Sequence, residues 1–213
     1  MSNKGLSSAD VCPPSSVLRP PSSSYASAKR LFDICSSLAL FLLILPLFLA
    51  LAVWVKWTSP GPVFHVSKRV GRNNEIFNMF KFRTMRTDTP QVATHLMTDP
   101  ARYVTPVGRF LRKTSLDELP QLLNVIKGDM SVVGPRPALF NQDDLVALRT
   151  EKGVHELIPG ITGWAQTHGR DEIPIPVKVG LDEFYLKNRS FRLDMIILWL
   201  SMKQAFTGKN VSH

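Results

Sequence analysis

The sequence predicts an α+β protein in two parts: a membrane-associated helical element, then a small basic domain with a short β-hairpin. Three observations predict it. Residues 34–55 form an uncharged run of 22, long enough to cross a bilayer as one helix. Residues 63–83 alternate loosely between apolar and polar side chains about Gly71-Arg72-Asn73-Asn74, which reads as two strands around a turn. From there to about residue 206, short helical patterns alternate with glycine- and proline-marked turns. At 213 residues one domain with a real core is expected.

The net charge is +9, from 26 Lys and Arg against 17 Asp and Glu. Such an excess points to a polyanionic partner: nucleic acid, an anionic membrane surface or a phosphorylated substrate. No helix-turn-helix, zinc spacing or aromatic RNA-binding signature is present, so no nucleic-acid partner is expected. Cys12 and Cys35 form no spacing motif, and the histidines at 65, 95, 155, 168 and 213 are scattered. Neither a disulfide framework nor a histidine-built metal site is expected.

Residues 1–25 are rich in Ser and Pro and read as a disordered tail. The membrane element follows over 26–58. Pro46 sits just past the middle of its apolar run and removes the hydrogen bond to the Leu42 carbonyl, which favours a kink or a helix-break-helix. Both flanks are basic, with Lys29 and Arg30 before and Lys56, Lys68, Arg69 and Arg72 after. Positive flanks prefer the cytoplasmic side, so both ends compete for one face. A re-entrant hairpin satisfies both, a spanning helix only one. Trp54 and Trp57 fall where interfacial aromatics belong.

Ser59-Pro60-Gly61-Pro62 closes this element and opens the domain over 59–206. The second strand of the hairpin is expected to turn Phe77, Met79 or Phe80, and Phe82 inward, with Lys81 and Arg83 near the other face. Residues 86–106 are polar and loop-like, and 107–113 form a short basic helix. A helix over 117–127 carries Leu119, Leu122, Leu123, Val125 and Ile126, and stops at Gly128. Met130–Gly134 reads as a buried strand leading into Pro135-Arg136-Pro137, and Asp143–Lys152 as a helix. The apolar run 195–200 is too short to span; it reads as a helix lying in the membrane interface or as a core helix. Residues 207–213 form a tail.

The chemistry concentrates at Thr114-Ser115-Leu116-Asp117-Glu118-Leu119-Pro120-Gln121. Pro120 lacks an N–H and fits a first helical turn, which places the acidic pair at the helix N-terminus. Ser115-x-x-Glu118 also fits a capping box. A helix N-terminus attracts phosphate. The pair therefore reads as an ordinary cap, or as a phosphate-ester nucleophile and metal ligand. Pro135 and Pro137 restrict the backbone around Arg136, which suits bidentate phosphate binding and equally a rigid turn.

Taken in order, these motifs resemble the monotopic polyprenol-phosphate phosphoglycosyl transferases, the bacterial sugar transferases that begin glycan assembly. The resemblance covers about residues 28–206. It rests on Lys29-Arg30-Leu31-Phe32-Asp33, Ser59-Pro60-Gly61-Pro62-Val63-Phe64, Arg69-Val70-Gly71, Lys81-Phe82-Arg83-Thr84-Met85, Leu111 to Gln121, Gly128-Asp129-Met130-Ser131, Val133 to Pro137, and Pro159-Gly160-Ile161-Thr162-Gly163. It implies a re-entrant helix-break-helix at the bacterial plasma membrane, with interfacial helices and a catalytic domain on the cytoplasmic face. It implies transfer of a phospho-sugar from a UDP-sugar to polyprenyl (undecaprenyl) phosphate, with release of UMP. Asp117 matches the nucleophile and Glu118 the partner that holds Mg²⁺. Lys81, Arg112 and Arg136, the last between Pro135 and Pro137, match positions around the phosphates. Lys29 and Arg30 match a pair at headgroup level, and Pro46 the hairpin break. The chain departs at Leu45, where Ser often precedes the proline; at Asn74, where a second glycine is usual; and at Ile158, where an arginine is common. The competing expectation is a non-catalytic, membrane-anchored basic domain that binds anionic lipid or nucleic acid.

Overall fold

The computed structural model describes residues 23–89, 100–169 and 173–207. Helix α1 runs from Ser23 to Thr58, so ordered helix starts inside the stretch read as tail. Strands β1 (Phe64–Val70) and β2 (Ile76–Phe82) follow, then α2 (Pro106–Thr114), a 3₁₀ turn at Leu116–Glu118 and α3 (Gln121–Lys127). The rest is β3 (Ser131–Val133), α4 (Asp143–Glu151), β4 (Gly160–Thr162), α5 (Trp164–Thr167), α6 (Ile175–Asn188) and α7 (Phe191–Thr207). Strands β1 and β2 pair antiparallel, as the alternation predicts, and β3 pairs parallel with β4. The turn between β1 and β2 places Asn73 and Asn74 at φ 54° and 63°; asparagine tolerates this left-handed region, which accounts for Asn74 in place of glycine.

Among the described residues α1 is the one helix long and apolar enough to cross a membrane. Its helical course is unbroken through Pro46, so the helix-break-helix expected from the sequence is one continuous helix here. Hydroxyls within it bond back to the preceding turn, Ser36 Oγ to Phe32 O (2.7 Å) and Thr58 Oγ1 to Trp54 O (2.8 Å), which satisfies them without water. Both ends of α1 are built into the same domain. Near its start, Arg30 donates to Val125 O and Ile126 O (2.7 and 3.0 Å), so a cation meets the C-terminal carbonyls of α3. Asp33 accepts from Ser131 Oγ and Val132 N. Asp194 of α7 gathers Tyr25, Lys29 and Tyr185 at 2.7–3.0 Å. Toward its other end, Phe48, Leu51 and Val55 pack with Phe82, Val107 and Leu111 in one apolar cluster. Arg83 closes that end by donating to Ser59 O (2.6 Å). Between the two attachments Leu38, Leu40, Leu42, Leu43 and Leu47 are exposed.

The β1–β2 ribbon is covered on both faces. Phe82 packs toward α1 and α2, while Met79 joins Val125 and Met130 on the side of α3. Lys81, two residues on from Met79, shares its face. Arg83, expected near a solvated face, is instead 6% exposed beneath the Ser59–Gly61 turn. The larger core lies among β3, α5, α6 and α7, with Leu193 and Ile197 inside it. Helix α7 bears out the core reading of its apolar run on one side; on the other, Phe191, Ile196, Trp199 and Met202 are exposed.

Asn124, fully buried on α3, substitutes for a third strand. Its Oδ1 accepts from Phe80 N (3.0 Å) and its Nδ2 donates to Asn78 O (2.7 Å). Both groups lie on β2 just before Lys81. Asn124→Ala leaves two buried backbone groups unpaired and is expected to cost about 1–3 kcal/mol; chemical denaturation of the detergent-solubilised chain measures this.

Candidate active site

Three separate segments meet at Glu118. Lys81 Nζ of β2 donates to Glu118 Oε1 at 2.7 Å, and Arg136 Nη2 reaches the same oxygen at 3.3 Å. Lys81 Nζ also lies 3.9 Å from Asp117 Oδ2. Arg112, on α2, donates through Nε to Thr84 Oγ1 at 3.0 Å and lies close enough for its charge to act on Asp117. Gly108 permits this placement. A side chain there would strike the Thr84 backbone, so α2 and Arg112 could not close onto the end of β2.

The local backbone corrects the sequence reading of the acidic pair. Asp117 and Glu118 do not open an α-helix; they occupy the 3₁₀ turn Leu116–Glu118, and α3 begins after Pro120. The capping box is not formed. Ser115 takes φ 57° as the C-cap of α2 and makes no side-chain cap, and the Glu118 carboxylate turns to Lys81 and Arg136. Tertiary ion pairing prevails over a local cap worth about 1 kcal/mol.

Pro135-Arg136-Pro137 is anchored at every carbonyl. Pro135 O accepts from Gly160 N (2.9 Å), Arg136 O from Arg149 Nη1 (2.9 Å) and Pro137 O from Arg69 Nη1 (3.4 Å). The prolines remove two donors; the three bonds then set the loop. Arg149 is itself held by Asp182, which is 2% exposed, at 2.7 and 3.1 Å. Sequence reading missed Arg69, Asn124, Thr84, Arg149 and Asp182 as supports. The available signals were Arg69 and Thr84, each inside a recognised motif; Asn124, Arg149 and Asp182 lack a local pattern because they act across the fold. Lys29 and Arg30 lie away from the acidic pair, bonded to Asp194 and to α3, and Pro46 lies within α1.

The two carboxylates are driven in opposite directions. Burial raises the Asp117 pKa above its ordinary 3.8, with Lys81 opposing and Glu118 adding to the rise. Burial would also raise that of Glu118, but Arg136 and Lys81 outweigh it and hold the group well below the carboxylate range. Glu118 is thus a fixed anion, and Asp117 a more basic carboxylate beside it, the separation that assigns different roles to paired acids. Among the described residues no three His, Cys, Asp or Glu side chains gather to hold a metal. The pair nonetheless suits Mg²⁺, which takes one or two carboxylates plus phosphate oxygens and water. Both cations engage Glu118 through Oε1, which leaves Oε2 to a ligand.

These features define a class: an α+β domain joined to a long apolar helix, with two adjacent carboxylates of opposite pKa shift held among Lys81, Arg112 and Arg136. The chain belongs to the bacterial sugar transferase family, whose profile matches residues 24–208. It is 43% identical over 187 residues to the uncharacterized sugar transferase EpsL of Bacillus subtilis, covering 87% of this chain and 90% of that protein. It is 40% identical to the UDP-N-acetylgalactosamine-undecaprenyl-phosphate N-acetylgalactosaminephosphotransferase of Aeromonas hydrophila, covering 88% of this chain and 46% of that one. The undecaprenyl-phosphate glucose phosphotransferase of Komagataeibacter xylinus is also 40% identical, over 85% of this chain and 36% of its own length. The chain thus spans less than half of each of the latter two.

Two outcomes follow from the buried charges. Asp182→Asn leaves Arg149 buried without its counter-charge and is expected to cost about 3–5 kcal/mol, read from denaturant midpoints. The folded environment of Asp117 disfavours its ionised form, so the group opposes stability above pH 3.8, where the unfolded chain ionises it freely. Asp117→Asn is therefore expected to unfold at a higher temperature than wild type at pH 7 in EDTA. That difference should vanish at acid pH, where Asp117 is protonated in both states. A pH series of melting curves checks both points.

Proposed function

We propose that the chain transfers a phospho-sugar from a UDP-sugar to undecaprenyl phosphate at the membrane surface, releasing UMP through a covalent phospho-sugar on Asp117. The observation that carries this reading is the buried Asp117 beside Glu118, with Glu118 locked by Lys81 and Arg136. A carboxylate attacking a diphosphate is repelled unless charge is neutralised, and cations held in place before reaction meet that need. The names of the Aeromonas and Komagataeibacter relatives support the donor and acceptor classes.

In the first step an Asp117 oxygen attacks the phosphorus bearing the sugar, the bond to the UMP oxygen breaks and UMP leaves. In the second, the lipid phosphate attacks the same phosphorus and Asp117 departs as a carboxylate. Two displacements at one carboxylate require ping-pong kinetics. Lys81, Arg112 and Arg136 counter the phosphate charge in both steps. Glu118, with Asp117, would hold Mg²⁺, which when bound neutralises diphosphate oxygens. Asp117→Asn is expected to abolish UMP release, a fall of at least about 10³-fold, in an assay with UDP-sugar, undecaprenyl phosphate and Mg²⁺. Retained release sinks the nucleophile assignment. If wild type releases no UMP from UDP-glucose, UDP-galactose or UDP-N-acetylgalactosamine, the non-catalytic lipid-binding reading gains.

The membrane course belongs to the same proposal. Attachment of both ends of α1 to one domain, with exposed leucines between, supports a re-entrant course; Pro46 is where the helix would bend in the membrane, and the basic flanks favour the cytoplasmic face. The exposed side of α7 and Trp54 and Trp57 would then lie at the interface. With Cys35 replaced by Ala, native Cys12 and an introduced cysteine at Lys68 should react equally with a membrane-impermeant maleimide, only after cells are opened. Reaction of one alone in intact cells rules the re-entrant course out.

A further inference from the structure

His65 stands at the site without a role in the reading above. It lies directly opposite Lys81 in the β1–β2 register. Facing residues in an antiparallel pair share one side of the ribbon with Cβ atoms about 5 Å apart. The imidazole therefore borders the space that Lys81 reaches when it contacts Glu118 at 2.7 Å and approaches Asp117 at 3.9 Å. His65 is exposed, and among the described residues neither ring nitrogen has a hydrogen-bond partner. A histidine beside Lys81, partly covered by its neighbours but with an edge open to solvent and no internal bond, is available to a ligand.

Its place along the ribbon indicates which ligand. Phe64, the preceding residue, stacks on Phe82 with centroids 5.6 Å apart, and both rings lie against Phe48 of α1, at 6.0 and 4.9 Å. This end of the ribbon thus meets the apolar helix, whose following turns expose Trp54 and Trp57. The other end carries Arg69, bonded to the Pro135-Arg136-Pro137 loop. For the phosphotransfer reading above, the loop end suits a water-borne nucleotide diphosphate, and the end that meets α1, where His65 lies, suits a phosphate carried on an isoprenoid.

We propose that His65 meets the phosphate monoester of the lipid acceptor at the membrane edge of the site and takes up the proton that this phosphate carries when it arrives as a monoanion. The inference rests on the phosphotransfer reading above. A phosphate oxygen attacks the phosphorus held on Asp117, the bond from phosphorus to the Asp117 oxygen breaks, and Asp117 leaves as a carboxylate. The acceptor's proton passes to the imidazole and from its exposed edge to solvent. The charged groups that act on His65 are Lys81 from β2, Arg112 from α2 and Arg69 from its own strand. With desolvation as the larger cause, they keep its pKa below the ordinary 6.5, so the ring is neutral and able to accept at pH 7.

The test separates the two steps in the full-length enzyme with Mg²⁺, using whichever of UDP-glucose, UDP-galactose or UDP-N-acetylgalactosamine gives a UMP burst. The burst without acceptor reads the first step. Chasing the labelled enzyme with undecaprenyl phosphate reads the second. His65→Gln is expected to leave the burst within about twofold and to slow the chase roughly a hundredfold at pH 6. The deficit should shrink as pH rises and the acceptor becomes a dianion with no proton to lose. A parallel fall in burst and chase, a chase deficit that ignores pH, or no deficit at all overturns the proposal. His65→Asn, a second neutral variant, must repeat the pattern, and a folded His65→Asn that does not do so also overturns it. No burst from wild type with any donor sinks the phosphotransfer reading itself.

Discussion

Glu118 Oε1, shared by Lys81 and Arg136, is the contact on which the site depends. It draws together three parts of the chain distant in sequence: strand β2, the 3₁₀ turn after α2, and the loop after β3. A carboxylate buried without partners would protonate or unfold its surroundings. Paired twice, it stays ionised and raises the cost of ionising its neighbour, so one interaction both holds the site and separates its two acids. The supports behind it serve the same end. Asn124 holds the edge of β2, and the Arg149–Asp182 pair holds the backbone of Arg136. The cations are thus held in place by the fold itself, the preorganisation that the proposed reaction requires.

Helix α1 is coupled to this centre at both of its ends. Arg30 meets the carbonyls at the end of α3, and Phe48 packs on Phe82, the residue after Lys81. The apolar element is therefore a structural member of the domain and not a tether hung from it. The same polarity runs through the β1–β2 ribbon, whose one end meets α1 while the other meets the arginine loop. For the proposed reaction, this polarity gives a lipid-borne and a water-borne substrate opposite ends of the ribbon from which to approach one carboxylate.

Much of this was legible in sequence. The 22-residue uncharged run, the alternation about Gly71–Asn74, and the proline-flanked Arg136 are local patterns, and the local structure follows them. The Asp117-Glu118 pair stood out as two adjacent acids in a basic chain, and the family motifs placed Lys81, Arg112 and Arg136 around the phosphates; only the structure pairs Lys81 and Arg136 with Glu118. The helix limits around that pair were misread. Propensity favoured a capped helix from Ser115, whereas the long-range pairing of Glu118 redirected its side chain and left a 3₁₀ turn.

The sequence by itself determined the long apolar helix, the β1–β2 ribbon and the residue types able to handle phosphate, because these depend on periodicity, proline and charge. Only the tertiary structure decided that both ends of α1 join one domain, that Asp117 and Glu118 are shifted apart, and that His65 faces Lys81. Those facts depend on burial and on contacts between residues tens of positions apart, where charge strength is set by what excludes water and not by neighbours in the chain.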